Sequence, residues 1–197
     1  MGRPRADSNA TATTERVLEA ALHEFGEDGY AAGNLERIAR TAGISRPSLL
    51  YHFGSKEELH AAVVSEAFRR LGEALTIAMA TEGPFEAQFD AVVDGYVGFL
   101  GANPSLSRII LRELLDTSGP GHALLMQGAV PLIKQVEAFI VAHGKGLRRD
   151  LPLREAILAF VSAALLEAAA GGLHRELWAG PSHPRKLSRA LFFKEKP

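Results

Sequence analysis

The sequence predicts an all-α chain in which a small N-terminal helical unit precedes a larger helical domain. Three observations predict it. Apolar residues recur at helical spacing along most of the 197 residues. No segment holds a period of two for long. Gly, Pro and good N-cap residues punctuate the apolar runs at helix-length intervals. The hydrophobic share of 47% and charged share of 23% are those of an ordinary globular chain.

Residues 1–12 read as a flexible arm, because Gly2-Arg3-Pro4-Arg5 combines a breaker, a stiff residue and two cations. A first helix is expected from Thr14 to Asp28, with Val17, Leu18, Ala21, Leu22 and Phe25 on one apolar stripe. Gly29 suits its left-handed end. Asn34 caps a second helix whose Leu35, Ile38 and Ala39 face inward, leaving Arg37 and Arg40 in water. After the Ala42-Gly43-Ile44 turn, Ser45 caps a short third helix through Tyr51. Pro47 sits in its first turn, where a missing N–H costs little. Ser55-Lys56-Glu57-Glu58 fits a capping box and opens a long fourth helix that ends before Gly83-Pro84.

The fifth helix, about Phe85 to Gly101, carries Phe85, Phe89, Val92, Tyr96 and Phe99 on one face. A short helix, Ser105 to Asp116, lies between Asn103-Pro104 and Gly119-Pro120-Gly121. Later helices are expected near 122–143, 153–170 and 184–194. The implied division is an arm at 1–12, a helix-turn-helix unit at 13–60 and a helical domain at 61–197.

Composition removes several function classes. The chain has no Cys, so disulfides, thiolate zinc sites and cysteine nucleophiles are out. Glu57-x-x-His60 has di-iron ligand spacing, but no second such pair exists, and His60 reads as exposed. There is no His-Glu-x-x-His, Walker-type loop or Gly-x-Ser-x-Gly elbow, so neither a metal nor a cofactor is expected. Met1 to Ala12 lacks the apolar run of a secretory signal. The longest apolar stretch, Ala156 to Leu166, is broken by Ser162 and falls short of the about 20 residues of a membrane span. The expectation is a cytoplasmic protein with no membrane partner.

Two short helices joined by a tight Gly-containing turn make a helix-turn-helix pattern. In such units the first helix braces on the DNA backbone and the second enters the major groove. Arg46 can bond guanine bidentately, Ser48 several bases, and Pro47 a thymine methyl. The N-termini at Asn34 and Ser55 offer N–H groups to phosphates, with Lys56 adding a cation. Net charge is −1 overall, yet from Arg37 to Lys56 three Arg and one Lys are uninterrupted by any acid. Arg3 and Arg5 suit a narrow minor groove.

The run from Asn34 through Ser45-Arg-Pro-Ser-Leu-Leu-Tyr-His-Phe53 to Leu59, preceded by Phe25 and Gly29-Tyr30, resembles the DNA-binding segment of the TetR (tetracycline-repressor) family. The likeness covers about residues 14–65. It implies base contacts from Arg46, Pro47 and Ser48, and phosphate contacts from Tyr51, His52 and Lys56, with Asn34 on the brace helix. The family commonly carries Tyr where this chain has Leu50, so Tyr51 is placed to take over part of that contact. The resemblance further implies a repressor released from its operator when a small molecule binds the C-terminal domain. The competing readings are a helical-bundle enzyme and a sensor or adaptor without DNA binding. The first lacks paired carboxylates at metal spacing; the intact Arg46, Lys56 and helix caps count against the second.

Two further expectations concern the C-terminal domain. A two-fold homodimer is expected through the last two long helices. The 156–170 segment is rich in Ala156, Ala159, Ala163 and Ala164 amid Ile157, Leu158, Val161 and Leu165, and Leu187, Leu191 and Phe192 follow. A palindromic operator then follows from the protein's symmetry. A largely apolar effector is expected among Phe99, Met126, Phe139 and Phe160, oriented by Tyr96, Arg112, His122 and Gln127.

Overall fold

The computed structural model describes residues 5–116, 121–144, 146–148, 150–178 and 180–194, with the backbone alone for 5–10 and 175. Of the proposed arm cations, Arg3 lies outside the described residues and the Arg5 side chain is not among those described. The helices are α1 (Arg5–Ala32), α2 (Leu35–Thr41), α3 (Arg46–Phe53), α4 (Lys56–Met79) and α5 (Phe85–Ala102). They continue as α6 (Pro104–Leu115), α7 (Gly121–His143), α8 (Leu153–Ala169), the short α9 (His174–Trp178) and α10 (Pro184–Phe192). No strand occurs among the described residues, as the all-α expectation requires. The first helix begins at Arg5 rather than Thr14, and so runs through most of the segment read as an arm.

The caps act as the residue types dictate. The Asn34 side chain accepts from the N–H groups of Glu36 at 2.8 Å and Arg37 at 3.2 Å. Ser45 accepts from Ser48 N–H at 3.3 Å, and Ser55 from Glu58 N–H at 3.0 Å. The Ser55 capping box is half formed: its N–H donates to the Phe53 carbonyl at 2.7 Å instead of to Glu58.

The N-terminal head closes around Val17, Ala21, Phe25, Ile38, Leu49 and Leu59, all 0–1% exposed. The helix α4 then runs unbroken from this head into the C-terminal bundle, across the expected boundary at 60/61. Its Leu59 and Val63 belong to the head, and its Phe68, Leu71 and Leu75 to the bundle core. One continuous apolar core results. Two Arg–Asp pairs hold α10 against α5. The Arg185 Nε reaches the two oxygens of Asp94 at 2.8 and 2.9 Å, and Arg189 spans both oxygens of Asp90 at 2.9 and 2.6 Å.

Among the described residues one helix, α7, is long and apolar enough to cross a membrane. Its Leu132, Ile133, Val136, Phe139 and Ile140 line a cavity within the bundle.

Close approach of α1 to α6 depends on Gly26. A Cβ there would sit 2.7 Å from the Ser105 Cα, so backbone rather than a flexible side chain would have to move. Gly26→Ala is therefore expected to destabilise the chain by about 1–3 kcal/mol, the usual cost of overpacking. Urea denaturation measures it; an unchanged midpoint contradicts the tight α1–α6 contact.

Candidate functional site

The first candidate surface is α3. Helical geometry puts Leu49 and Phe53 on one side and Pro47, Ser48, Tyr51 and His52 on the other. Leu49 is fully buried, while Pro47 and His52 are exposed and Ser48 is half-buried. Tyr51 is 88% exposed, a large aromatic that the fold itself does not use. Leu50 is half-buried against the core, so the outward-facing ring at this end of the helix is that of Tyr51.

Charge is distributed more narrowly than composition indicates. Arg37 is not free: it pairs with Glu24, whose carboxylate takes Nη2 at 2.6 Å and Nε at 2.9 Å, and with Asp28. The Glu24 hydrogen bond is the main cause of its raised pKa. Arg40 and Arg46 are exposed, and neither forms an ion pair with another described residue. Lys56, expected at a phosphate, donates instead to the Ala31 carbonyl at 3.0 Å, with its ammonium 5.1 Å from the centre of the Tyr30 ring. It buttresses the end of α1.

The second candidate is a cavity of about 110 Å³ inside the C-terminal bundle, walled by α4, α5, α6, α7, α8 and α10. Tyr96, Phe139 and Phe160 line it. Among the described residues of the lining Tyr96 supplies the sole polar side-chain atom, and that hydroxyl donates to the Val161 carbonyl at 3.2 Å. Burial raises its pKa.

The other proposed ligand residues lie elsewhere. Phe99 faces a shallow cleft between α1 and α4, beside Leu18 and Arg70. Met126 is 56% exposed, His122 is exposed, and Gln127 borders a surface groove with Arg69. Phe99 continues the helical spacing of the stripe, but α5 has α1 beside it at that turn, so the residue meets a different neighbour.

Arg112 is the largest relocation. Gly29 breaks α1 with φ 80° and ψ 170°. Carbonyls near the end of the first segment need donors, as at any helix terminus. The Arg112 guanidinium reaches across from α6 and donates to Phe25 at 3.1 Å, Gly26 at 2.7 Å and Glu27 at 2.8 Å. Its charge also suits the negative end of the helix dipole. One turn earlier on α6, Arg108 pairs with Glu27 and approaches the Ala169 carbonyl at the end of α8 at 3.4 Å.

His60, read from sequence as exposed, is 1% exposed. Its ring packs between Phe25 at 5.1 Å and Tyr30 at 5.0 Å, with Nε2 3.4 Å from Glu113 of α6. Burial lowers His60 to about 4, and the Lys56 charge adds to the shift. Burial raises Glu113, Asp116 raises it further, and the Gly121 N–H pulls it back. Both groups thus favour their neutral forms. Sequence gave no sign of this pairing, because it depends on the break at Gly29 that brings Tyr30 back over α4.

The profile of "Bacterial regulatory proteins, tetR family" matches residues 17–63. The chain is 30% identical over 163 residues to the HTH-type transcriptional regulator SrpR of Pseudomonas putida, covering 81% of this chain and 75% of that one. Its fold is similar to a TetR-like transcriptional regulator from Rhodococcus sp. RHA1, with TM-score 0.68 and 24% identity over 96% of this chain and 98% of that one. A TetR family regulator from Marinobacter aquaeolei VT8 superposes with TM-score 0.72 at 16% identity, covering 95% and 100%. The chain belongs to the TetR family, whose members are helix-turn-helix transcriptional regulators.

The buried histidine generates a pH prediction. Between pH 6.5 and about 4 the unfolded chain binds a proton on His60 that the folded chain refuses, so this group's contribution to stability falls as pH falls. Glu113, with its pKa raised, acts in the opposite sense, since the folded chain takes its proton first. His60→Gln removes only the first effect. Its stability relative to wild type should rise on acidification below pH 6.5, by up to about 1.4 kcal/mol per pH unit. Parallel stability–pH curves for the two proteins, from urea titrations, would contradict the burial of a neutral imidazole.

Proposed function

We propose that the protein is a homodimeric repressor that holds palindromic operator DNA through α3 and releases it when a small, mainly apolar molecule enters the C-terminal cavity. The single observation that carries this reading is the position of α6. Its Ile110 lines the cavity, while Arg108, Arg112 and Glu113 engage the head. A displacement of α6 by a filled cavity therefore acts directly on α1 and α4. For release, the effector must favour the conformation in which the two heads no longer match the half-sites, since equal affinity for both shifts nothing. Such a regulator acts in the cytoplasm, where bacterial operator DNA lies.

On this reading Arg46 and Ser48 read bases, with Pro47 against a thymine methyl and Tyr51, His52 and the capped N-terminus at Asn34 on phosphates. Arg46 is the side chain with the greatest reach and is free of ion pairs among the described residues. Selection from a random duplex pool tests DNA binding itself; failure to enrich any sequence at low salt would overturn the function. On the selected operator, Arg46→Ala is expected to cost about 1–3 kcal/mol and to relax preference at one base position. Base preferences left intact by that change would remove Arg46 from the reading face.

Dimerisation is assigned to the outer face of α8. Ala156, Ile157, Ala164 and Leu165, expected at the interface, are buried in their own subunit, as is Phe192 of α10. The apolar residues left outside on α8 are Leu158 at 45% and Leu166 at 52% exposure, with Ala159 and Ser162 between them. The small residues permit close approach of a second helix. Leu158→Asp with Leu166→Asp should leave a folded monomer in sedimentation; a persisting dimer would place the interface elsewhere.

A further inference from the structure

Phe160 separates two chambers. Inside lies the apolar cavity; outside, between α8, α5 and α10, lies a second pocket of about 400 Å³. Phe160 is the one described side chain that lines both. The two differ in chemistry. Among the described residues the inner one offers a single polar side-chain group, the Tyr96 hydroxyl, whose proton is held by the Val161 carbonyl. The outer one has an apolar floor, with Val97 and Ala163, beneath the carboxylate of Glu167 and the indole of Trp178.

Glu167 is built into place. Its two oxygens accept from His174 Nε2 at 3.1 Å and Ser182 Oγ at 3.0 Å, and the His174 ring lies flat on Trp178, 5.3 Å between centres. Its side chain is only 21% exposed. A carboxylate has about four acceptor sites, so Glu167 keeps capacity for a further donor. Among the described residues lining this pocket the basic groups are Lys186 and His183, both exposed, where solvent and salt screen them.

On α8 the pocket residues lie on a different side from the contact face proposed above. Phe160, Ala163, Ala164 and Glu167 follow the spacing of one helix face, whereas Leu158, Ser162 and Leu166 follow another. At about 100° per residue, Leu158 lies roughly 200° around α8 from Phe160.

We propose that the outer pocket is the headgroup site of the effector, and that the effector is an amphipath with an amine head. The ammonium binds Glu167 beside the Trp178 indole, a pairing of carboxylate and aromatic face suited to organic cations. The apolar body passes Phe160 into the inner cavity, where a charged head would meet no counter-charge among the described residues of the lining. Glu167 is seven residues from Phe160, about 10 Å along the helix, so a flexible chain of moderate length joins the two. The proposal rests on the reading of the inner cavity as the effector chamber.

The test is calorimetric titration of the whole protein with decylamine, decanol and decanoate, each below its micellar concentration. Decylamine is expected to bind one per chain and about tenfold more tightly than decanoate, the value of one charge-assisted hydrogen bond. Glu167→Gln, which keeps the shape and can still meet Ser182 and His174, should erase that preference and leave decanol binding unchanged. If that variant does not fold, Lys186→Glu on the exposed rim decides: decylamine should then bind about threefold or more tightly. Decanol binding without an amine preference, or an amine preference untouched by Glu167→Gln, overturns the headgroup site and leaves the effector chamber standing. Failure of all three compounds to bind overturns both. Decylamine binding that depends on Glu167 but leaves operator affinity unchanged supports the site and instead removes the release mechanism.

Discussion

The Arg112 guanidinium holds together what the break at Gly29 separates. Three carbonyls at the end of a helix segment, Phe25, Gly26 and Glu27, receive their donors from a residue more than eighty positions away. With them satisfied, the chain can leave the helix at Gly29 and fold Tyr30 back over His60. Tyr30 then presents its ring to Lys56 at the first turn of α4. Without the cap, the break would leave partly buried polar backbone exposed to an apolar junction, a cost of the order of a kcal/mol or more per group.

Because the donor belongs to α6, the head is tied to the bundle by polar, directional bonds as well as by packing. The neighbouring Glu113 packs 3.4 Å from the His60 ring on α4 without a hydrogen bond to it. These ties are geometrically demanding: guanidinium bonds to carbonyls tolerate little misalignment. A shift of α6 that a purely apolar contact would absorb therefore has to be followed by α1. Close packing strengthens the argument, since Gly26 against Ser105 and Gly128 against the Phe68 ring leave no slack for side chains at those crossings.

The cavity is the counterpart of this rigidity. At about 110 Å³ it is smaller than the roughly 150 Å³ site that holds a benzene-sized molecule in an engineered protein core. A larger guest must displace its walls or extend beyond them. The walls include Ile110 on α6 and Phe160 on α8, which also lines the outer pocket. On the proposed mechanism, this is how a guest in the cavity would act on α6.

The sequence by itself determined the local structure. Helical spacing of Val17, Ala21 and Phe25, the caps at Asn34, Ser45 and Ser55, and the breakers at Gly43 and Gly83-Pro84 defined the elements, because these signals act within one or two turns. The exposed face of α3 was legible for the same reason: Ser45-Arg46-Pro47-Ser48 is a local pattern whose outward face follows from its period. Tertiary structure decided everything that depends on which helix lies beside which. It made Arg112 a helix cap instead of a ligand contact, buried His60 against Glu113, withdrew Arg37 into ion pairs and turned Phe99 toward α1. It also placed Phe160 between two pockets. A residue's period says which side of its helix it occupies; only packing says what waits on that side, and each of these roles is set by a neighbour distant in sequence.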